Sequence, residues 1–211
     1  MKLALFSHNI TKTHEKKLQK LFDKELAEVR FLYITTPTNY KPFKPDWCIE
    51  SEERWRSIFP KLREFDLERA YRVDRKFNFK EYLSDFDFIF ISGGNIFILT
   101  YWMRETGVDA LLKKMILKDK VVYGGESAGA IYPYQDISEY AVLDDPDKAP
   151  SVVNGGLGVI NFAPLPHWGV KDFQIGLEKV KVRFEKNNVK VITFADDEAI
   201  FVVDKEVEKC K

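Results

Sequence analysis

The stretch from Lys120 to Tyr134 constrains this chain more than any other. It reads Lys-Val-Val-Tyr-Gly-Gly-Glu-Ser-Ala-Gly-Ala-Ile-Tyr-Pro-Tyr. Val121, Val122 and Tyr123 form a β-branched and aromatic run, the signature of a buried strand. Gly125-Glu126-Ser127-Ala128-Gly129 then fits Gly-x-Ser-x-Gly, the pattern of a nucleophile elbow. Such a turn needs small residues on both sides of the nucleophile, because the returning helix packs close against the strand. It lifts the serine hydroxyl out of the sheet and aims the amide of the next residue, Ala128, at the site as an oxyanion donor. The pattern alone also fits an ordinary glycine-rich turn. The preceding strand and the small residues Ala128, Gly129 and Ala130 favour the elbow.

The rest of the chain supplies a scaffold for it. Strand patterns at Leu3–Phe6, Val29–Thr35, Asp87–Ile91, Val189–Phe194 and Ala199–Val203 alternate with helical patterns at Thr11–Leu26, Glu50–Phe65, Ile96–Leu117 (broken at Gly107) and Val170–Asn187. Shorter segments read as a strand at Ala70–Val73, a helix at Phe79–Leu83, and strand edges at Leu157–Val159 and Phe162–His167. Thr36–Pro45, with three prolines, reads as an irregular loop. This order predicts an α/β fold, a three-layer αβα sandwich around a mostly parallel sheet, and 211 residues suit a single domain over 1–211. Ligand sites of such sheets lie at the carboxyl ends of the strands. Ser92-Gly93-Gly94-Asn95 and Gly124-Gly125-Glu126-Ser127 both sit there and can face one crevice.

A hydroxyl nucleophile needs a base, and the chain has three histidines. His8 ends the first strand and His14 starts a charged helix; both read as surface or hydrogen-bonded core residues. His167 follows Leu165-Pro166 at a strand end and is the candidate base. An orienting acid is sought between Ser127 and His167, following the order of the α/β-hydrolases. Asp136, Glu139, Asp144, Asp145 and Asp147 are available there. Gly93 and Gly94 can bring further amides to a carbonyl oxygen. They could also cradle phosphate, but no Lys-Ser or Lys-Thr follows, so acyl chemistry ranks above nucleotide binding. Tyr132, Tyr134, Trp168 and Arg104 are candidates for the pocket wall or, equally, for packing.

Bulk properties narrow the class further. Thirty-three basic and 33 acidic residues give no electrostatic case for nucleic acid or an anionic membrane. No apolar run approaches a membrane span, and the N-terminus turns polar too soon for a signal peptide. Cys48 and Cys210 lack metal-site spacing and are too few for a disulfide framework, which points to the reducing cytoplasm.

These pieces together resemble the dipeptidase E group of serine peptidases, which includes aspartyl dipeptidases and, more distantly, cyanophycinases. The similarity is carried by Leu3-Ala4-Leu5-Phe6-Ser7, Tyr33-Ile34-Thr35-Thr36, Ile91-Ser92-Gly93-Gly94-Asn95-Ile96-Phe97 and Arg104-Glu105-Thr106-Gly107-Val108-Asp109. It continues in Gly125-Glu126-Ser127-Ala128-Gly129-Ala130 and in Gly156-Leu157-Gly158 leading to Leu165-Pro166-His167. The resemblance implies a flavodoxin-like fold of the class I glutamine amidotransferase type. It implies Ser127 as nucleophile, His167 as base, and an oxyanion hole from the amides of Gly94 and Ala128. It also implies an acid at Asp-x-Pro spacing between Ser127 and His167, for which Asp144 in Asp144-Asp145-Pro146 is the first choice, with Asp145, nearer to the family's separation from the histidine, the second. The expected activity is hydrolysis of short peptides, with dipeptides carrying N-terminal aspartate as one substrate class, and without metal or cofactor. A homodimer is compatible with it. A binding protein without turnover on the same scaffold, or an amidase or esterase with a non-peptide substrate, are the competing expectations.

Overall fold

The computed structural model describes all 211 residues. Nine strands and eight α-helices follow in the order β1 (Lys2–Phe6), α1 (Lys12–Gln19), β2 (Phe31–Ile34), α2 (Asp46–Ile58), β3 (Leu62–Phe65), α3 (Leu67–Val73), α4 (Phe79–Ser84), β4 (Phe88–Ile91), α5 (Ile96–Glu105), α6 (Val108–Leu117), β5 (Val122–Glu126), α7 (Ala128–Ile131), β6 (Ala163–Leu165), α8 (Lys171–Lys186), β7 (Val191–Thr193), β8 (Ala199–Val203) and β9 (Glu206–Cys210). Seven strands form the central sheet in the order β3-β2-β4-β5-β1-β8-β9. The first five run parallel, and β8 and β9 are antiparallel. β6 and β7 make a separate parallel pair.

Alternation along the strands builds the layers. Leu3, Leu5, Leu32, Ile34, Ile89, Ile91 and Tyr123 face one side and join α3 to α8 in a single cluster. Ala4, Phe6, Phe31, Tyr33, Phe88, Phe90 and Val122 face the other and meet Leu18 of α1 with Trp55 of α2. That second layer is aromatic. Phe31 stacks on Phe88 with centroids 4.7 Å apart, and Trp55 lies 4.4 Å from Phe90. Fully burying one such ring contributes roughly 1.5–3 kcal/mol.

The element order follows the sequence pattern, with differences that have local causes. The expected helix over Glu50–Phe65 stops at Ile58, and Leu62–Phe65 is instead the edge strand β3. Pro60 explains the break: it removes a helical donor and pushes Phe59 out of the helical region, to φ −120° and ψ 82°. Ala70–Val73, expected as a strand, is the end of helix α3, whose first turn is capped by the Asp66 carboxylate accepting from the Arg69 amide. The helix expected over Thr11–Leu26 ends at Gln19, and Leu157–Val159 forms no strand. His14 is buried and closes a capping box with Thr11, a structural role.

Register determines where the chemistry can sit. Phe6 of β1 and Glu126 of β5 are partners, as are Ile91 of β4 and Gly125 of β5. The carboxyl ends of three neighbouring strands therefore deliver Ser7, Ser92-Gly93-Gly94 and Ser127 to one edge. β8 runs the opposite way beside β1, with Ala199 opposite Phe6. Its leading turn, Ala195–Glu198, is consequently brought to the same edge.

Candidate active site

Ser127 stands between β5 and α7 with φ 50° and ψ −111°, a strained conformation for a residue with a side chain. Its amide donates to Phe6 O at 3.1 Å, which fixes the turn to β1. The crossing of strand and helix leaves no room for side chains: a Cβ on Gly125 would lie 2.3 Å from the carbonyl of Gly129. The Tyr123 hydroxyl donates to that same carbonyl at 2.6 Å. The small residues of the pattern are thus required by the backbone approach itself.

His167 completes a line of hydrogen bonds. Its Nε2 is 2.9 Å from Ser127 Oγ and its Nδ1 is 2.7 Å from Asp196 Oδ1. The Ser7 hydroxyl donates to the same Asp196 oxygen at 2.8 Å and accepts the His167 amide at 2.7 Å. His167 itself has φ 60°, held by this amide bond, and Phe173 stacks on its ring at 4.8 Å. Burial opposes ionisation of Asp196, but the bonds from His167 and Ser7 outweigh it and hold the carboxyl below the usual range. With Asp196 ionised, the imidazole carries its proton on Nδ1, which leaves Nε2 free to accept from Ser127.

Asp144, expected as the orienting acid, is not bonded to His167. Its Oδ2 accepts the Ile96 amide at 2.9 Å, at the start of α5, while Oδ1 has no hydrogen-bond partner in the chain. Asp145 caps a short turn through the Asp147 amide, Asp136 accepts from the Ser138 amide, and Glu139 pairs with Arg183. None of these four reaches the histidine. Asp196, the carboxylate that does reach His167, follows the histidine in sequence and so lies outside the interval between Ser127 and His167. The available signal was topological: a last strand antiparallel to β1 carries its leading acidic turn to the carboxyl ends of the parallel strands.

The amides of Gly94 and Ala128 have no acceptor within the chain. Gly94 adopts φ 134°, and a Cβ there would lie 2.5 Å from Pro37 O. Asn95 fixes this turn by accepting from the Phe97 and Ile98 amides and donating to Asp145 O at 2.9 Å. Ala128 follows Ser127 as the first residue of α7, and Gly94 lines one cleft with Ser127 and His167, in a cavity of 490 Å³. Its walls include Tyr40, Trp47 and Phe173. Of the wall residues expected from the sequence, Tyr132 and Tyr134 are buried in the core, Arg104 pairs with Asp109, and Trp168 packs against the core. His8, expected as a bystander, lines the cleft. An open groove of 750 Å³ near Lys41 and Arg72 is larger but is lined by no serine, cysteine or histidine. Burial pushes the Cys48 thiol up to about 12, which makes it a poor competitor for the nucleophilic role. No group of three or more metal-ligating side chains is assembled, and no helix is long and apolar enough to cross a membrane.

Burial pushes the Asp144 carboxyl up to about 6, against the opposing pull of the Ile96 amide and His167. A carboxyl whose folded pKa is raised binds more protons folded than unfolded, so stability falls as pH rises from about 4 to 6 and stays reduced above that. Asp144→Asn keeps an acceptor for Ile96 without the charge. Above pH 6 it should therefore be more stable than the parent by about 3 kcal/mol, a gap that closes toward pH 4. Urea unfolding at pH 4 and pH 7.5 measures this. A variant less stable at pH 7.5, or an unchanged gap at both, would contradict the assigned environment.

The family profile described as "Peptidase family S51" matches residues 7–210 of this chain. An uncharacterized peptidase of Listeria innocua is 35% identical over 122 residues, covering 57% of this chain and 57% of that protein. A second, from Listeria monocytogenes, is 33% identical over 122 residues, covering 57% of this chain and 58% of that protein. Each alignment with these curated relatives thus spans little more than half of their length. Among solved structures, a candidate peptidase E protein from Listeria monocytogenes EGD-e superposes with a TM-score of 0.81 at 24% identity, covering 100% of this chain and 98% of that one. A peptidase from an acI-B1 Actinobacterium gives 0.61 at 16% identity, covering 99% of this chain and 86% of that one. The fold is of the class I glutamine amidotransferase type.

Proposed function

Since the chain belongs to peptidase family S51, we propose that it is a serine-type peptidase acting on short peptides, with Ser127 as nucleophile, His167 as general base and Asp196 as orienting acid. The observation that carries this reading is the unbroken line from Ser127 Oγ through the His167 ring to Asp196, with bonds of 2.9 and 2.7 Å. His167 Nε2 takes the hydroxyl proton as Oγ bonds to the scissile carbonyl carbon. The carbonyl oxygen becomes an oxyanion and is received by the Gly94 and Ala128 amides, each worth about 3 kcal/mol to the transition state. Collapse of the tetrahedral species breaks the C–N bond, and the imidazolium gives its proton to the departing amine. A water, deprotonated by the same nitrogen, then releases the acyl group and restores Ser127. Apart from the substrate and the hydrolytic water, every group in this sequence belongs to the protein.

The preference for an N-terminal aspartate is not carried over. An aspartyl side chain needs a cation, and the cleft offers Glu126, Asp144 and Asp196 with no lysine or arginine. Cys48 and Cys210 are free thiols, in keeping with a reducing compartment and a cytoplasmic site of action.

A panel of free dipeptides and tripeptides, with products identified by mass, tests the proposal. Release of amino acids from several of them is the expected result. Turnover of simple esters or amides with every peptide left intact would reassign the enzyme to non-peptide substrates. Inertness to all of them would favour a binding protein on this scaffold.

A further inference from the structure

Charge is distributed unevenly around Ser127. Three carboxylates line the cleft, and the only basic side chains there are His8 and His167. The three are not equivalent. The Ser51 hydroxyl lies 2.7 and 2.8 Å from the two oxygens of Glu126 and shares its one proton between them, with the Tyr33 hydroxyl adding a longer contact to Oε1. Asp196 is committed to His167 and Ser7. Asp144 keeps Oδ1 without a partner on a carboxylate anchored by Oδ2, and it differs from Asp196, whose Oδ2 is also unpartnered, in taking no part in the bond to His167.

Its placement is rigid and close to the chemistry. Asp144 Oδ2 is bonded to the Ile96 amide, and the next carbonyl, that of Asp145, accepts from Asn95. The carboxylate is therefore tied to the turn that carries the oxyanion donor Gly94, two residues before Ile96. In a peptide cleaved after its first residue, the α-nitrogen lies about 2.5 Å from the scissile carbonyl carbon, as fixed by covalent geometry. Asp144 lines the same cleft as Gly94 and Ser127, so the α-ammonium of a substrate whose carbonyl sits on Gly94 and Ala128 enters the space that Asp144 borders. The rings of Tyr40 and Trp47 line the same space and suit a cation, through their negative faces.

Building on the peptidase reading above, we propose that the free oxygen of Asp144 receives the α-ammonium group of the substrate, making the protein an exopeptidase that removes non-acidic N-terminal residues. Asp144 is then a specificity-determining residue, not a member of the proton relay. Glu126 contributes through its charge, raising the penalty on an acidic first side chain. The raised pKa of Asp144 fits this role, because a desolvated carboxylate short of partners gains most from a cationic ligand.

The test compares Ala-Leu, N-acetyl-Ala-Leu and Asp-Leu as substrates of the parent and of Asp144→Asn. The parent should prefer Ala-Leu to both others by about 100-fold in kcat/KM, the scale of a desolvated charge pair. In the variant the ratio of free to acetylated peptide should fall to within about threefold, with the loss on Ala-Leu expressed mainly in KM. Asp144→Glu should recover part of the ratio, which a purely structural role for the carboxylate would not produce. Equal cleavage of free and acetylated peptides by the parent, a ratio preserved in Asp144→Asn, or Asp-Leu as the best substrate would each overturn the proposal. All three outcomes leave peptide hydrolysis intact. Failure to hydrolyse any peptide would instead remove the peptidase reading on which the proposal rests.

Discussion

Ser127→Ala should reduce peptide turnover by about 10⁵-fold or more, with little change in substrate binding. The size follows from what the substitution removes. Without Oγ no acyl-enzyme can form, so the difficult displacement is no longer divided into two easier steps. The Gly94 and Ala128 amides would remain and could still polarise a bound carbonyl, which sets a small floor under the residual rate. The fold should survive the change. What the turn needs is small neighbours at Gly125 and Gly129, whose backbones nearly touch, and alanine at 127 does not alter them. A purified variant with native unfolding behaviour and turnover at more than one per cent of the parent would exclude Ser127 as the nucleophile.

The second large effect is expected at Asp196. Asp196→Asn should lower kcat by about 10⁴-fold, comparable to losing the base itself. The Asn amide can donate to Nδ1, which would move the imidazole proton to Nε2 and leave no acceptor facing Ser127. Ser7, which donates to the same oxygen at 2.8 Å, helps to hold the acid in place. The comparison with Asp144→Asn is decisive between the two aspartates. If Asp196 orients the histidine, its loss appears in kcat, whereas loss of Asp144 appears mainly in KM. Steady-state kinetics of both variants on one dipeptide would show the split, and the reverse pattern would return the acid role to Asp144.

Much of this site was legible before any coordinates. Buried strands at Leu3–Phe6, Asp87–Ile91 and Val121–Tyr123 are dense apolar runs, and the small residues around Ser127 and at Gly93-Gly94 mark turns at strand ends. Their convergence followed from the rule that parallel strands present their carboxyl ends together. Two kinds of information were missing. Short elements gave ambiguous periodicity: Ala70–Val73 is too brief to separate strand from helix, and the Asp66 cap decides it. The orienting acid depended on the direction of the last strands, which periodicity does not report. Asp196 enters the site because β8 runs against β1, a pairing nearly 200 residues apart in the chain. Asp144 illustrates the reverse limit. Its position ahead of a proline made it look like a relay acid, and only its bond to the Ile96 amide, in place of one to His167, separates that role from ligand recognition.

The central claim is that Ser127 is a hydroxyl activated by His167 and Asp196. It is tested most directly by reacting the purified protein with an alkyl fluorophosphonate and measuring its intact mass, followed by peptide mapping. The account predicts one adduct per chain, located on Ser127, and no adduct on Ser127→Ala or His167→Ala under the same conditions. Labelling elsewhere, or equal labelling of parent and His167→Ala, would contradict it.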